Sequence, residues 1–228
     1  MNEQALKDLL EFCDKGNCFG EKVTLVGATK TMDADTINQA IKLGLPVVAE
    51  NRVQEFTLKS TLLCGAKQHF IGHLQTNKVK YLVGKVDLIH SVDSVKLATV
   101  ISEIAQKKQT VQQILVEVNV GGELSKSGFS LENATSAIEE ISMLDNLEIK
   151  GLMAMLPKTE DEQLKVQLVK SMRALFDKLK TKYTNFEYLS VGMSEDYAIA
   201  VQNGSNMIRI GSLIFGKRNY GEIKDGII

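Results

Sequence analysis

Eight short apolar runs, each followed by a stretch of polar or helical pattern, constrain this chain more than any other feature. They are Val23–Ala28, Pro46–Ala49, His69–Gly72, Asp87–Val92, Gln113–Val120, Glu148–Met155, Glu187–Met193 and Met207–Gly211. Between them lie helix signatures. Asp33 or Asp35 can cap a helix that runs to a stop at Gly44. From Ser94 to Lys107, Val95, Leu97, Ala98, Ile101 and Ile104 fall on one helical face. Ser130–Met143 and Asp161–Lys180 repeat that pattern at greater length. Strands alternating with helices predict a parallel sheet with right-handed crossovers. Eight such units behind a leading amphipathic helix predict an α/β fold, a single closed (β/α)8 barrel of the TIM type with an extra N-terminal helix. An open doubly wound sheet would have fewer strands and a Gly-rich first turn, which Leu25–Asp33 is not.

A length of 228 residues suits one such barrel. Pro46 and Pro157 are the two prolines, and no Ser/Gly-rich linker marks a boundary, so residues 1–228 are expected to form one domain. With 27 basic and 28 acidic residues and no like-charge block, neither nucleic acid nor a membrane surface is an expected partner. The amphipathic, acid-bearing start is neither a signal peptide nor an anchor. Cys13, Cys18 and Cys64 are odd in number and lack CxxC spacing, so no disulfide framework is expected and the cytoplasm is the expected compartment.

In this fold, reactive groups sit at the C-terminal ends of the strands, and phosphate is commonly held after the seventh and eighth. The first strand delivers Lys30. By alternation it shares a face with Val26 and Ala28, above the barrel core. Desolvation there favours the neutral amine that Schiff-base formation with a carbonyl requires; the bland alternative is a lysine snorkelling to solvent. The seventh strand ends at Ser194, placed as an N-cap whose hydroxyl and neighbouring N–H groups could also take a phosphate. The eighth ends in Gly211 and Ser212, where an anion can approach the backbone at another helix start. Arg209, between Ile208 and Ile210, shares its face with Gly211. A buried guanidinium needs an acceptor: a pyridine nitrogen is one, and a barrel carboxylate in a structural salt bridge is the other. His69 and His73 lack the ligand set of a metal site. The loop Gly121–Gly128 lacks P-loop spacing, and no GxSxG is present.

The blocks Gly27–Lys30 (GATK), Glu50–Phe56 (ENRVQEF), His69–Lys78 (HFIGHLQTNK), Ser91–Ser94 (SVDS), Glu123–Phe129 (ELSKSGF), Gly151–Met155 (GLMAM), Leu189–Ser205 (LSVGMSEDYAIAVQNGS) and Ile208–Tyr220 (IRIGSLIFGKRNY) occur in this order along nearly the whole chain. In them the chain resembles the pyridoxal phosphate homeostasis protein family, single-barrel relatives of the alanine racemase N-terminal domain. The resemblance implies pyridoxal 5'-phosphate (PLP) bound on Lys30 as a Schiff base. It implies that Ser194, Gly211 and Ser212 hold the phosphate, that Arg209 faces the pyridine nitrogen and that Asn51 is a further contact near the cofactor. It also implies a role in balancing PLP supply without an established reaction. Departures fall on the outer pocket. The family pattern has Phe-Gly at Val48-Ala49, tyrosine at Arg52 and tryptophan at Gln68, and the histidine that stacks on the ring in racemases is Met155 here.

Two functions follow: a PLP carrier or regulator, or a PLP-dependent amino-acid racemase. A two-base racemase needs an acid/base on each face of the substrate carbanion, and the resemblance places the racemase's second base in a further C-terminal domain. This sequence ends eight residues after Tyr220. An arginine at the ring nitrogen would also weaken the ring as an electron sink. The expectation is therefore a non-enzymatic protein, a monomer, whose open barrel mouth suits handing PLP to apo PLP-dependent enzymes.

Overall fold

The computed structural model describes residues 1–123 and 126–216 of the chain. Parts of two motif blocks, Leu124–Ser125 and Lys217–Tyr220, lie outside the described residues. All eight expected runs are strands. In chain order the elements are α1 (Glu3–Asp14), β1 (Thr24–Ala28), α2 (Ala34–Lys42), β2 (Val47–Glu50), α3 (Val53–Lys59), β3 (Lys67–Phe70), β4 (Leu88–Val92), α4 (Val95–Lys107) and β5 (Gln112–Asn119). They continue with β6 (Phe129–Ser130), α5 (Ala134–Ile141), β7 (Leu147–Ala154), α6 (Glu162–Lys180), β8 (Tyr188–Ser190), α7 (Tyr197–Gln202), β9 (Met207–Ile210) and α8 (Ser212–Phe215). Short 3-10 turns at Ser60–Leu62 and Thr76–Tyr81 stand before and after β3.

The strands pair in parallel in the cyclic order β1-β2-β3-β4-β5-β7-β8-β9 and back to β1, so the sheet closes into an eight-stranded barrel. The two-residue β6 lies outside that ring, paired to the end of β5 through Val118↔Phe129 and Asn119↔Ser130. That pairing corrects one expectation. Ser130 ends a strand rather than opening a helix, its Oγ accepts from Asn133 N at 3.2 Å, and α5 starts only at Ala134.

The other starts follow from capping chemistry. Asn2, Asp33, Ser94 and Asp161 each accept a hydrogen bond from the backbone N–H three residues on, at 3.1, 2.7, 3.3 and 2.9 Å. Strand alternation then builds two apolar layers. Val26, Val47, Ala49, Leu88, Leu115, Met153 and Met207 fill the barrel interior. Leu25, Val48, Ile208 and Ile210 face outward onto Leu6, Leu9 and Ile37 of the helical jacket. Each such fully buried Leu, Ile or Val stabilises by roughly 1.5–3 kcal/mol relative to exposure. The β5–β7 ladder slips between Ile114↔Ile149 and Leu115↔Gly151. Gly151 sits there at φ 145°, so close to its neighbour that a Cβ would stand 1.9 Å from Tyr188 O.

Candidate functional site

Because every strand of the ring runs the same way, the residues after β1, β2, β8 and β9 gather at one rim. The β1–β9 register pairs Val26 with Arg209 and Gly27 with Ile210. One step further on, the glycine at 211 lies against Ala28: a Cβ there would be 3.3 Å from Ala28 O and 3.4 Å from Ala28 Cβ. Lys30, half-buried, follows Ala28 by two residues. On the other side, Arg209 N donates to Gly192 O at 3.0 Å, carrying the β8–β9 ladder past Ser190 and bringing the turn Met193–Asp196 beside the end of β9.

Ser194 is not the N-cap the sequence suggested. Asp196 closes the turn, its N–H donating to Met193 O at 3.1 Å and its Oδ1 accepting from Met193 N at 2.6 Å. That carboxylate bond goes back to Met193 N and not to an N–H of α7, so Asp196 holds the N-cap position without a side-chain cap bond, and α7 opens only at Tyr197. Ser194, half-buried, therefore lies within the turn rather than at the start of the helix. Gly211 is the N-cap position of α8, with Ser212 its first residue. The first N–H groups of such a turn have no partner inside it. Asn51 follows β2 at the same rim; its Oδ1 is buried and has no hydrogen-bond partner among the described residues.

Arg209 points into the barrel, only 5% exposed. No carboxylate pairs with it among the described residues. Its Nη1 donates to Ser190 O at 2.8 Å and Ser190 Oγ at 2.6 Å, and its Nη2 to Ala154 O at 3.0 Å. Three of the five N–H groups of a guanidinium are thereby used. Burial lowers its pKa to about 10, against the raising influence of Glu117 and Asp196, so at neutral pH it remains a cation.

Ser190 and His90, which the sequence did not single out, stand behind it together with His69, weighed above only as a metal ligand. A guanidinium only donates, so Ser190 Oγ accepts. The serine proton then goes to His90 Nδ1 at 3.3 Å, no other acceptor being within its reach among the described residues. His90 accordingly carries its proton on Nε2 and donates to His69 Nδ1 at 3.0 Å. Burial holds His69 down at about 3, with Lys67 adding to the effect; it holds His90 well below the ordinary range, with His69 and Arg209 adding. Two neutral imidazoles thus cross the barrel interior. Strand alternation could have found them, since the inward parity of β3 and β4 selects His69 and His90.

Glu117, on the inward face of β5 and 4% exposed, is the other hidden group. Burial and then Asp93 push its carboxyl up to about 7, against Arg209 and His73. No group of three or more His, Cys, Asp or Glu that could hold a metal occurs among the described residues. His73 pairs with Asp93, Nδ1 to Oδ2 at 3.3 Å. A cavity of about 370 Å³ opens at the opposite rim, between Lys67, His69, Asp87, Gln112, Gln113 and Tyr188, away from Lys30. The rim chemistry, not this cavity, marks the candidate site.

Residues 21–219 match the family described as alanine racemase, N-terminal domain. The pyridoxal phosphate homeostasis protein of Aquifex aeolicus is 40% identical over 220 residues, covering 95% of this chain and 96% of its own. The chain belongs to the pyridoxal phosphate homeostasis protein family. Another member, from Escherichia coli K12, is 34% identical over 208 residues, 89% of this chain and 88% of its own. Among solved structures, PipY of Synechococcus elongatus PCC7942 with PLP bound superposes with a TM-score of 0.81 at 28% identity, over 93% of this chain and all of PipY. The Clostridium difficile alanine racemase, at 18% identity and a TM-score of 0.74, is matched over 94% of this chain but 55% of the enzyme and shares the barrel fold alone.

Proposed function

We propose that this chain binds PLP through a Schiff base on Lys30 and serves PLP homeostasis as a carrier or regulator rather than as an enzyme. The observation that carries this reading is the contact of Gly211 with Ala28, which sets the start of α8 beside the strand end that bears Lys30.

The donor set fits PLP. Lys30 supplies the amine that an aldehyde requires. The hydroxyls of Ser194 and Ser212 and the open N–H groups after Gly211 suit a phosphate. Arg209 keeps two N–H groups beyond those bonded to Ser190 and Ala154, enough to meet a ring nitrogen. The buried, unpartnered Oδ1 of Asn51 offers one more polar contact at the rim. When bound, PLP would supply an electrophilic carbonyl and a ring able to withdraw electrons.

What the chain does to that ring argues for storage rather than turnover. Arg209 stays cationic and can only donate, so a ring nitrogen held beside it would stay unprotonated and the ring would be a weak electron sink. The position at which a racemase stacks a histidine is Met155, 41% exposed and without acid–base capacity. A Schiff base on Lys30 would be open to exchange with a free amine, which suits transfer to apo PLP-dependent enzymes.

The test is to incubate the purified protein with PLP, record its absorption with and without added amine, reduce with borohydride and map the adduct. A yellow protein trapped at Lys30 is expected. A colourless protein, or an adduct on another lysine, overturns the binding reading. Robust racemisation of any amino acid overturns the carrier reading.

A further inference from the structure

The turn that carries Lys30 is held in an unusual conformation by groups from α3. Thr31, immediately after Lys30, has φ 67°, in the left-handed region that a β-branched residue rarely enters. Its N–H donates to Glu55 Oε2 at 2.7 Å. Lys59, one helical turn beyond Glu55, places its ammonium 3.3 Å from Thr29 O and 3.0 Å from Met32 O, the carbonyls that bracket Lys30 and Thr31. The same ammonium pairs with Glu50 at 2.6 Å and Glu55 at 3.1 Å, and Glu50 accepts from Thr29 Oγ1 at 2.8 Å. Each side of the Lys30 turn is therefore fastened to α3 or to the end of β2.

We propose that Glu55 and Lys59 are positioning residues that keep the Thr29–Met32 turn in its left-handed form, so that the Lys30 amine is presented to the rim before any cofactor arrives. The inference rests on the reading of Lys30 as the cofactor-bearing amine. The unaided turn would relax at Thr31, because a left-handed threonine is costly and nothing in its own side chain offsets that cost. A relaxed turn must be re-formed on binding, and affinity falls by the fraction of molecules in the competent form. Glycine pays no such steric cost. A glycine at position 31 therefore makes the Glu55 contact dispensable.

The experiment uses the full chain and PLP itself as the probe, with three proteins: wild type, Glu55→Ala, and Glu55→Ala combined with Thr31→Gly. Lys59 is left intact, because removing it would strand the buried Glu50 carboxylate and could unfold the protein. Affinity is read from the absorbance of the lysine adduct, its site from borohydride reduction and peptide mapping, and fold integrity from the thermal midpoint. Glu55→Ala should weaken PLP binding about tenfold with Lys30 still the trapped residue, and adding Thr31→Gly should restore most of the loss. A merely structural role for Glu55 would lower the thermal midpoint without rescue by glycine. Unchanged affinity in Glu55→Ala, or a loss that Thr31→Gly leaves in place, overturns the latch. Failure of the wild type to be trapped at Lys30 instead overturns the reading beneath it.

Discussion

Arg209 Nη1 lies 2.6 Å from Ser190 Oγ, and this contact sets the direction of every hydrogen bond behind it. With the serine oxygen accepting, its proton is committed to His90, and the His90 proton to His69. Both imidazoles are then neutral and protonated on Nε2. Nitrogen NMR on the labelled protein should show two histidines of that tautomer with no titration near the usual 6.5. Their folded pKa values are depressed, so the unfolded chain binds more protons, and stability should fall as pH drops below about 6.5. An Nδ1-protonated signal for His90, or a His90 that titrates normally, would show that the chain runs otherwise.

Lys30→Ala separates the amine from the rest of the rim. The borohydride-stable adduct should disappear, while the groups after β8 and β9 keep a weak, phosphate-dependent affinity measurable by equilibrium dialysis. Pyridoxal lacking the phosphate should then bind far less well than PLP. Equal weak binding of the two would remove Ser194, Gly211 and Ser212 from the proposed cradle.

The barrel was legible because its signal is repetitive. Eight apolar runs survive small errors at each boundary, and side-chain alternation correctly placed Val26 and Arg209 inside. What escaped was chemistry that depends on neighbours distant in sequence. Ser190 and His90 are 100 residues apart and meet only across the closed barrel. Ser194 was misplaced as a cap because the turn closes first, with Asp196 N and Tyr197 N both donating to Met193 O at 3.1 and 2.8 Å, so the N-cap position falls on Asp196, two residues beyond the serine. The Thr31 conformation had no sequence signal, since a β-branched residue is not expected at positive φ. The starts at Ser94 and Asp161, and Asp33 of the pair Asp33 or Asp35, were legible for the complementary reason: the cap is a local bond that distant residues seldom disturb.

Gly151 offers a test of the barrel's closure. Its positive φ, and a Tyr188 O that would stand 1.9 Å from any Cβ, leave no room for a side chain where β7 meets β8. Gly151→Ala should cost about 3 kcal/mol or more, through both backbone strain and the displaced strand. Chemical denaturation should show a much lower midpoint or no cooperative transition. A wild-type midpoint would mean that the bulge near Lys150 can move away without loss.

Glu117 predicts a pH-dependent effect of a single atom change. Its folded pKa is raised to about 7 by burial and Asp93, above the value of an exposed glutamate. The folded protein thus holds a proton that the unfolded chain has already lost. That contribution is fully present below about pH 4 and is lost as pH rises through 7, where a charged carboxylate must be accommodated inside the barrel. Glu117→Gln imitates the protonated form at every pH. The apo variant should match the wild type near pH 4 and exceed its stability at pH 8.5 by about 3 kcal/mol. Thermal or denaturant midpoints measured at both pH values decide it. An equal difference at the two would mean that the substitution acts through packing, and that the carboxyl ionises in the folded protein much as it does in the unfolded chain.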